Sequence, residues 1–146
     1  LQGATPIALK LSVPEFTINW DEVQAAISPR TRMIIINTPH NPSAQVLSAD
    51  DLAQLARVTR NTDIVILSDE VYEHIVFDGH RHHGMATHSE LASRSVIVSS
   101  FGKTFHVTGW RVGYCLAPQA LMCEILKVHQ FMMFSADTPM QYAFAE

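Results

Sequence analysis

A chain of 146 residues has the length of one ordinary domain and can bury a sizeable core. Ten lysines and arginines against 14 aspartates and glutamates leave a net charge of −4, which excludes a basic nucleic-acid surface, and no apolar run reaches the roughly 20 residues that a membrane span requires. Charged residues make up 16% of the chain against the about 25% usual for soluble domains, so part of the surface is expected to lie under something else; the two cysteines, Cys115 and Cys123, form no CxxC or scaffold pattern and read as small core hydrophobes in a reducing, cytoplasmic setting.

Taken in order, Pro6 to Leu11 is expected to form a short strand, and Asn19 or Asp21 to cap a helix over Glu22 to Ile27 that Pro29 ends. Arg32 to Asn37 is an apolar, β-branched run bounded by turn residues, the pattern of a strand buried on both faces. It stops at Thr38-Pro39-His40-Asn41-Pro42, where two prolines end ladder pairing. Ser48-Ala49-Asp50-Asp51 reads as a capping box, and Leu52, Leu55, Ala56 and Val58 follow at helical spacing as far as Asn61. Ile64 to Leu67 is the next buried strand and delivers Ser68-Asp69-Glu70 to its carboxyl end. Strand, helix, strand in this order predicts right-handed βαβ units and a parallel sheet.

Glu70 to Phe77 leads into a histidine-rich loop from Asp78, and a brief helix over Ser89 to Ala92 precedes the strand at Val96-Ile97-Val98. Trp110 to Ala117 predicts a further strand, reached by a connection too short for a parallel crossover and so expected to run antiparallel. Pro118 opens a helix to Phe134 whose charges are Glu124 and Lys127 alone; a helix apolar almost all round belongs under a neighbour. Thr138-Pro139 starts a last helix.

Gly102-Lys103-Thr104, just past the Val96 strand, admits three readings. A P-loop needs a glycine five positions before the Gly-Lys pair, and Ile97 stands there. A Schiff-base lysine needs a proton affinity lowered by burial or by a positive charge, which Arg111 could supply. An ordinary surface lysine needs nothing. The company of Lys103 bears on the choice: Asn41, then Asp69 and Tyr72, then Ser100 arrive at the carboxyl edge of one sheet, where open α/β folds bind their ligands. His80, His82, His83 and His88 have no cysteine or carboxylate partner at a recognised ligand spacing, so the loop reads as solvated and no metal site is expected. His40 and His106 lie near the candidate edge, and His129 falls on a helix face.

Asn37-Thr38-Pro39-His40-Asn41-Pro42, Ser68-Asp69-Glu70-Val71-Tyr72 and Ser99-Ser100-Phe101-Gly102-Lys103-Thr104, followed by Gly109-Trp110-Arg111-Val112-Gly113, closely resemble the fold type I pyridoxal-phosphate aminotransferases of classes I and II. Within them, the resemblance is strongest to the branch that handles methionine, kynurenine and glutamine. It implies an α/β, three-layer αβα fold with a mostly parallel sheet and one antiparallel strand. Residues 1–146 would form the central part of the large cofactor-binding domain, with both ends reading as edges of a fragment and the N-terminal arm, the start of the large domain and the C-terminal small domain outside it.

The same resemblance implies pyridoxal 5'-phosphate as cofactor, carried by Lys103, whose freed amine would move the proton from the substrate Cα to the C4' carbon. Asp69 would keep the pyridine nitrogen protonated, Asn41 and Tyr72 would bond the ring 3'-oxygen, and Ser100 and Arg111 would bind the phosphate. The implied reaction moves an amino group from a hydrophobic, sulfur-containing or aromatic amino acid to a 2-oxo acid in a homodimer. A β-lyase, a non-catalytic cofactor-binding piece and a regulatory domain are the alternatives, and the chain by itself is expected to be inactive. Two departures stand out: Ser43-Ala44 stands where many relatives have Thr-Gly or Leu-Gly, which weakens any need for a glycine conformation there, and Arg111 stands where the branch often has lysine. A cis Asn41-Pro42 peptide would also fit the family.

Overall fold

The computed structural model describes residues 3–146. Its sheet has the order β1-β2-β3-β4. Strands β1 (Met33–Asn37), β2 (Val65–Asp69) and β3 (Ser95–Ser100) run parallel, and β4 (Gly113–Leu116) pairs antiparallel with β3. Helices α1 (Trp20–Ala26), α2 (Ala49–Thr59), α3 (Ser89–Ala92), α4 (Phe101–Thr104), α5 (Gln119–Met132) and α6 (Thr138–Ala145) complete it. No helix among the described residues is long and apolar enough to cross a membrane.

Local chemistry sets the helix starts. The Asn19 side chain accepts hydrogen bonds from the N–H groups of Asp21 and Glu22, and Ser48 and Asp51 form the expected reciprocal capping box. The periodic face of α2 buries Leu52, Leu55, Ala56 and Val58 against Ile66 and Ile97 of the sheet, with Met85 and Leu91 closing the cluster. Each of the larger side chains contributes about 1.5–3 kcal/mol by leaving water, and Ala56 less. The Trp20 indole donates to Asp51 at 2.9 Å and pins α1 to the start of α2.

Several expectations need correction. Residues 6–11 form no strand: Ile7 and Leu9 are exposed, and nearby pairing is confined to a single antiparallel bridge between Ser12 and Thr17. β1 is covered on one face, where Ile34 and Ile36 meet the core, while Ile35 on the other face is 69% exposed. It lies at the edge of the sheet, and the helices that build the core sit on the Ile34 side. β4 begins at Gly113, because Thr108–Trp110 form a 3-10 turn and Arg111 adopts a left-handed conformation with φ of 55°. Neither cysteine belongs to the core: Cys123 is exposed on α5 and Cys115 is half-buried on β4. Helix α5 buries no residue, and Leu126, Val128 and Phe131 are open to solvent, so the neighbour its composition calls for is absent among the described residues.

Candidate active site

The carboxyl ends of β1 and β2 are tied by one side chain. The Asn37 amide donates to the Asp69 carbonyl at 3.1 Å, and its oxygen accepts from the Asn41 N–H at 2.8 Å. Buried Thr38 adds a backbone bond to the same Asp69 carbonyl at 2.9 Å, and its hydroxyl accepts from the Leu47 N–H at 3.2 Å. Between them the chain turns sharply: the Thr38-Pro39 and Asn41-Pro42 peptides are cis, and paired bonds join His40 to Ala44 and Gln45. Ala44 takes φ of 62°, so the backbone here adopts the left-handed conformation that glycine favours, although the residue is not glycine.

This turn presents Asn41 to the second segment. The Asn41 amide donates to the Tyr72 hydroxyl at 3.2 Å, and Lys103 Nζ lies 5.8 Å from the centre of the Tyr72 ring. Asp69 ends β2, and one oxygen of its carboxylate accepts from the Val71 N–H at 3.2 Å. The residues that follow make successive hydrogen-bonded turns, Glu73 N–H to Glu70 carbonyl and Ile75 N–H to Tyr72 carbonyl.

Lys103 rides on α4, which is held from three directions. Ser100 caps it, accepting from the Gly102 N–H at 3.1 Å and donating to the Val112 carbonyl at 3.2 Å. Gly102 is required there, since a Cβ would stand 2.9 Å from the Thr108 Cα. Phe101 stacks on Phe144 of α6 with ring centres 4.5 Å apart. Arg111 lies just beyond, exposed, with its guanidinium bonded to the Thr108 carbonyl at 3.3 Å. Asn41, Tyr72 and Lys103 are thus brought together, Ser100 and Lys103 share one helical turn, and Asp69 and Arg111 border them without a direct bond to the other four.

Two carboxylates that the sequence reading passed over sit on the same turn as Asp69 and Tyr72. Glu70, 3% exposed, accepts from the Ser68 hydroxyl at 2.9 Å, the Met85 N–H at 3.0 Å and His82 Nε2 at 2.8 Å. Burial pushes its carboxyl upward, but the bonds from His82, Met85 and Ser68 outweigh this and hold it below the usual range. His82 is therefore no solvated loop residue, its side chain being 12% exposed. Glu73 accepts from the Ser99 hydroxyl at 2.8 Å and from the Tyr114 hydroxyl. Ligand-capable atoms of Glu70, Glu73 and His82 lie within 4.8 Å of one another, yet both carboxylates are already engaged by protein donors, the arrangement of a structural network. Apart from Ser68, their partners lie 12 to 41 residues away along the chain, and the carboxylate recurring three residues on from Glu70 was the one available signal.

A family model described as aminotransferase class I and II matches residues 1–146. Methionine aminotransferase of Escherichia coli is 48% identical over 146 residues, covering 100% of this chain and 38% of that protein. Kynurenine–oxoglutarate transaminase of Dictyostelium discoideum is 41% identical over 138 residues, 93% of this chain and 32% of that protein. A crystal structure from Escherichia coli, reported to identify a methionine aminotransferase function, superposes with a TM-score of 0.90 at 50% identity over 92% of this chain and 36% of that one. The chain thus spans about a third of the length of these relatives.

Proposed function

The chain belongs to the class I and II aminotransferases, and from that premise we propose that it forms the central part of the cofactor-binding domain of a methionine-like aminotransferase. The full-length protein would move an amino group from a hydrophobic, sulfur-containing or aromatic amino acid to a 2-oxo acid, as a homodimer in the cytoplasm. The methionine preference is supported by the Escherichia coli relative, although kynurenine and N-succinyldiaminopimelate aminotransferases also match at 41% and 38% identity.

Members of this family use pyridoxal phosphate, and the donor set at the sheet edge fits that group. An amide and a phenol already bonded to each other offer two donors to one ring oxygen. A carboxylate, a lysine amine and a hydroxyl beside an arginine answer to a ring nitrogen, a carbonyl carbon and a phosphate. When bound, the cofactor supplies an electron sink for the charge left at the substrate Cα. Lys103 would hold it covalently and, once displaced by the substrate amine, use Nζ to take and return a proton. Asp69 would keep a proton on the ring nitrogen, Asn41 Nδ2 and the Tyr72 hydroxyl would orient the ring, and Ser100 Oγ and Arg111 would bind the phosphate.

The observation that carries this reading is the meeting of Asn41, Tyr72 and Lys103, from three separate segments, at one sheet edge. Borohydride reduction of the cofactor-loaded full-length protein, followed by peptide mass spectrometry, tests it. Cofactor mass on Lys103 is the expected result; mass on another lysine, or on none, overturns the assignment.

A further inference from the structure

Tyr72 and Lys103 approach one another from segments that the sheet does not hold together. The ladder between β2 and β3 ends at the pair Asp69 and Val98, with one further backbone bond from the Glu70 N–H to the Val98 carbonyl at 2.9 Å. Beyond it the chain after β2 turns away carrying Tyr72, while β3 continues to Ser100 and into α4 carrying Lys103. What joins the two past this point is Glu73. Its Oε1 accepts from Ser99 Oγ at 2.8 Å and from the Tyr114 hydroxyl, and His74 Nε2 stands 3.9 Å from it.

Ser99 and Tyr114 are register partners across the antiparallel β3–β4 pair, and Ser99 immediately precedes the cap of α4. One carboxylate oxygen therefore fastens the Tyr72 turn to both strands at the point from which the lysine helix departs. Ionised acceptors make the stronger hydrogen bonds, and the network is half-buried, where such bonds are less screened. Burial and then the Glu73 carboxylate push the Tyr114 phenol up, which keeps its proton available for donation. The Glu70 carboxylate, three residues earlier, is spent on Ser68, His82 and Met85 and makes no bond to β3 or β4 among the described residues.

We propose that Glu73 is a positioning residue: its clamp on Ser99 and Tyr114 sets the placement of the Tyr72 ring against Lys103 Nζ, and so the environment in which Lys103 holds pyridoxal phosphate. The proposal rests on the assignment of Lys103 above. Its test compares Glu73→Ala, Glu73→Gln and Tyr114→Phe in the full-length protein, with two measurements. The first is the pH-dependent absorption spectrum and Kd of the bound cofactor; the second is amide hydrogen exchange over residues 101–105 in cofactor-free protein.

Loss of two hydrogen bonds to a carboxylate in Glu73→Ala should weaken cofactor binding about tenfold, move the spectral transition, and speed the exchange by about the same factor. Glu73→Gln keeps a carbonyl oxygen that can accept both hydroxyls and should stay within about threefold of the parent, with Tyr114→Phe between the two. A Glu73→Ala protein matching the parent in both measurements overturns the proposal, as does a Glu73→Gln protein as impaired as Glu73→Ala. Should the parent carry no cofactor on Lys103, the functional reading fails, while the exchange comparison alone still decides whether Glu73 clamps α4.

Discussion

Ala44 shows how a single backbone angle can carry a family's preference when the side chain does not. With φ of 62° it sits in the left-handed region, which costs an L-residue with a Cβ roughly 1–2 kcal/mol. The turn tolerates this because the bonds from the Ala44 N–H to the His40 carbonyl and from the His40 N–H to the Gln45 carbonyl, 2.8 and 2.7 Å, hold it closed. Ala44→Gly should leave thermal stability unchanged or raise it by up to about 1 kcal/mol, since relief of strain is partly offset by the freer unfolded chain. Ala44→Val should destabilise by more, because a β-branched residue fits this region worst. A full-length Ala44→Gly protein with a clearly lower Tm would show that the angle is not strained. The residues that announce themselves in the sequence, Asn41, Asp69, Tyr72, Ser100 and Lys103, do so because each lies at a strand end, within three residues after one, or in a proline turn. Glu70, Glu73 and His82 did not, because most of their partners come from elsewhere in the chain: the loop and 3-10 turn for Glu70 and His82, the β3–β4 pair for Glu73.

At the scale of elements, the turn after β2 works as a strap with two buckles, Glu73 on the β3–β4 pair and Glu70 on the 3-10 turn at Met85–Thr87. The Glu70 buckle is pH-sensitive. Burial raises its carboxyl, but the bonds from His82, Met85 and Ser68 outweigh this, so its folded pKa lies under the ordinary 4.5. A carboxyl with a depressed folded pKa adds stability that is complete above the unfolded value and is lost as the pH falls through the folded one. Glu70→Gln should therefore lower the stability of the full-length protein by about 1–3 kcal/mol at pH 7. The gap to the parent should close as the pH drops below 4.5. Melting curves from pH 7 down to the acid limit decide this, and a gap independent of pH would remove the carboxylate from the account. Gly84 belongs to the same buckle, since a Cβ there would stand 2.7 Å from Glu70 Oε2.

For the whole molecule the decisive feature is how much apolar surface remains open. Ile35 is 69% exposed on the sheet, and Phe131 and Phe134 are 86% and 87% exposed at the end of α5 and just after it. Such surfaces need cover, and the proposed place of the chain within a larger domain supplies it. The 146-residue chain by itself should turn over amino acid and 2-oxo acid at a negligible rate. Assay of the purified chain with pyridoxal phosphate, methionine and a 2-oxo acid checks this, and turnover near that of the full-length protein would refute it. The parallel β1, β2 and β3, the capping box at Ser48 and the antiparallel β4 were legible in the sequence, because periodicity, caps and connection lengths are local signals, while the site motifs were legible as a family resemblance. The open face of β1, the uncovered α5, the irregular path of residues 6–11 and the Glu70 and Glu73 anchors were decided by tertiary structure alone. Apolar character records that a residue seeks burial, and a carboxylate that it seeks donors; which surface or donor each one meets depends on segments that only the folded chain sets side by side.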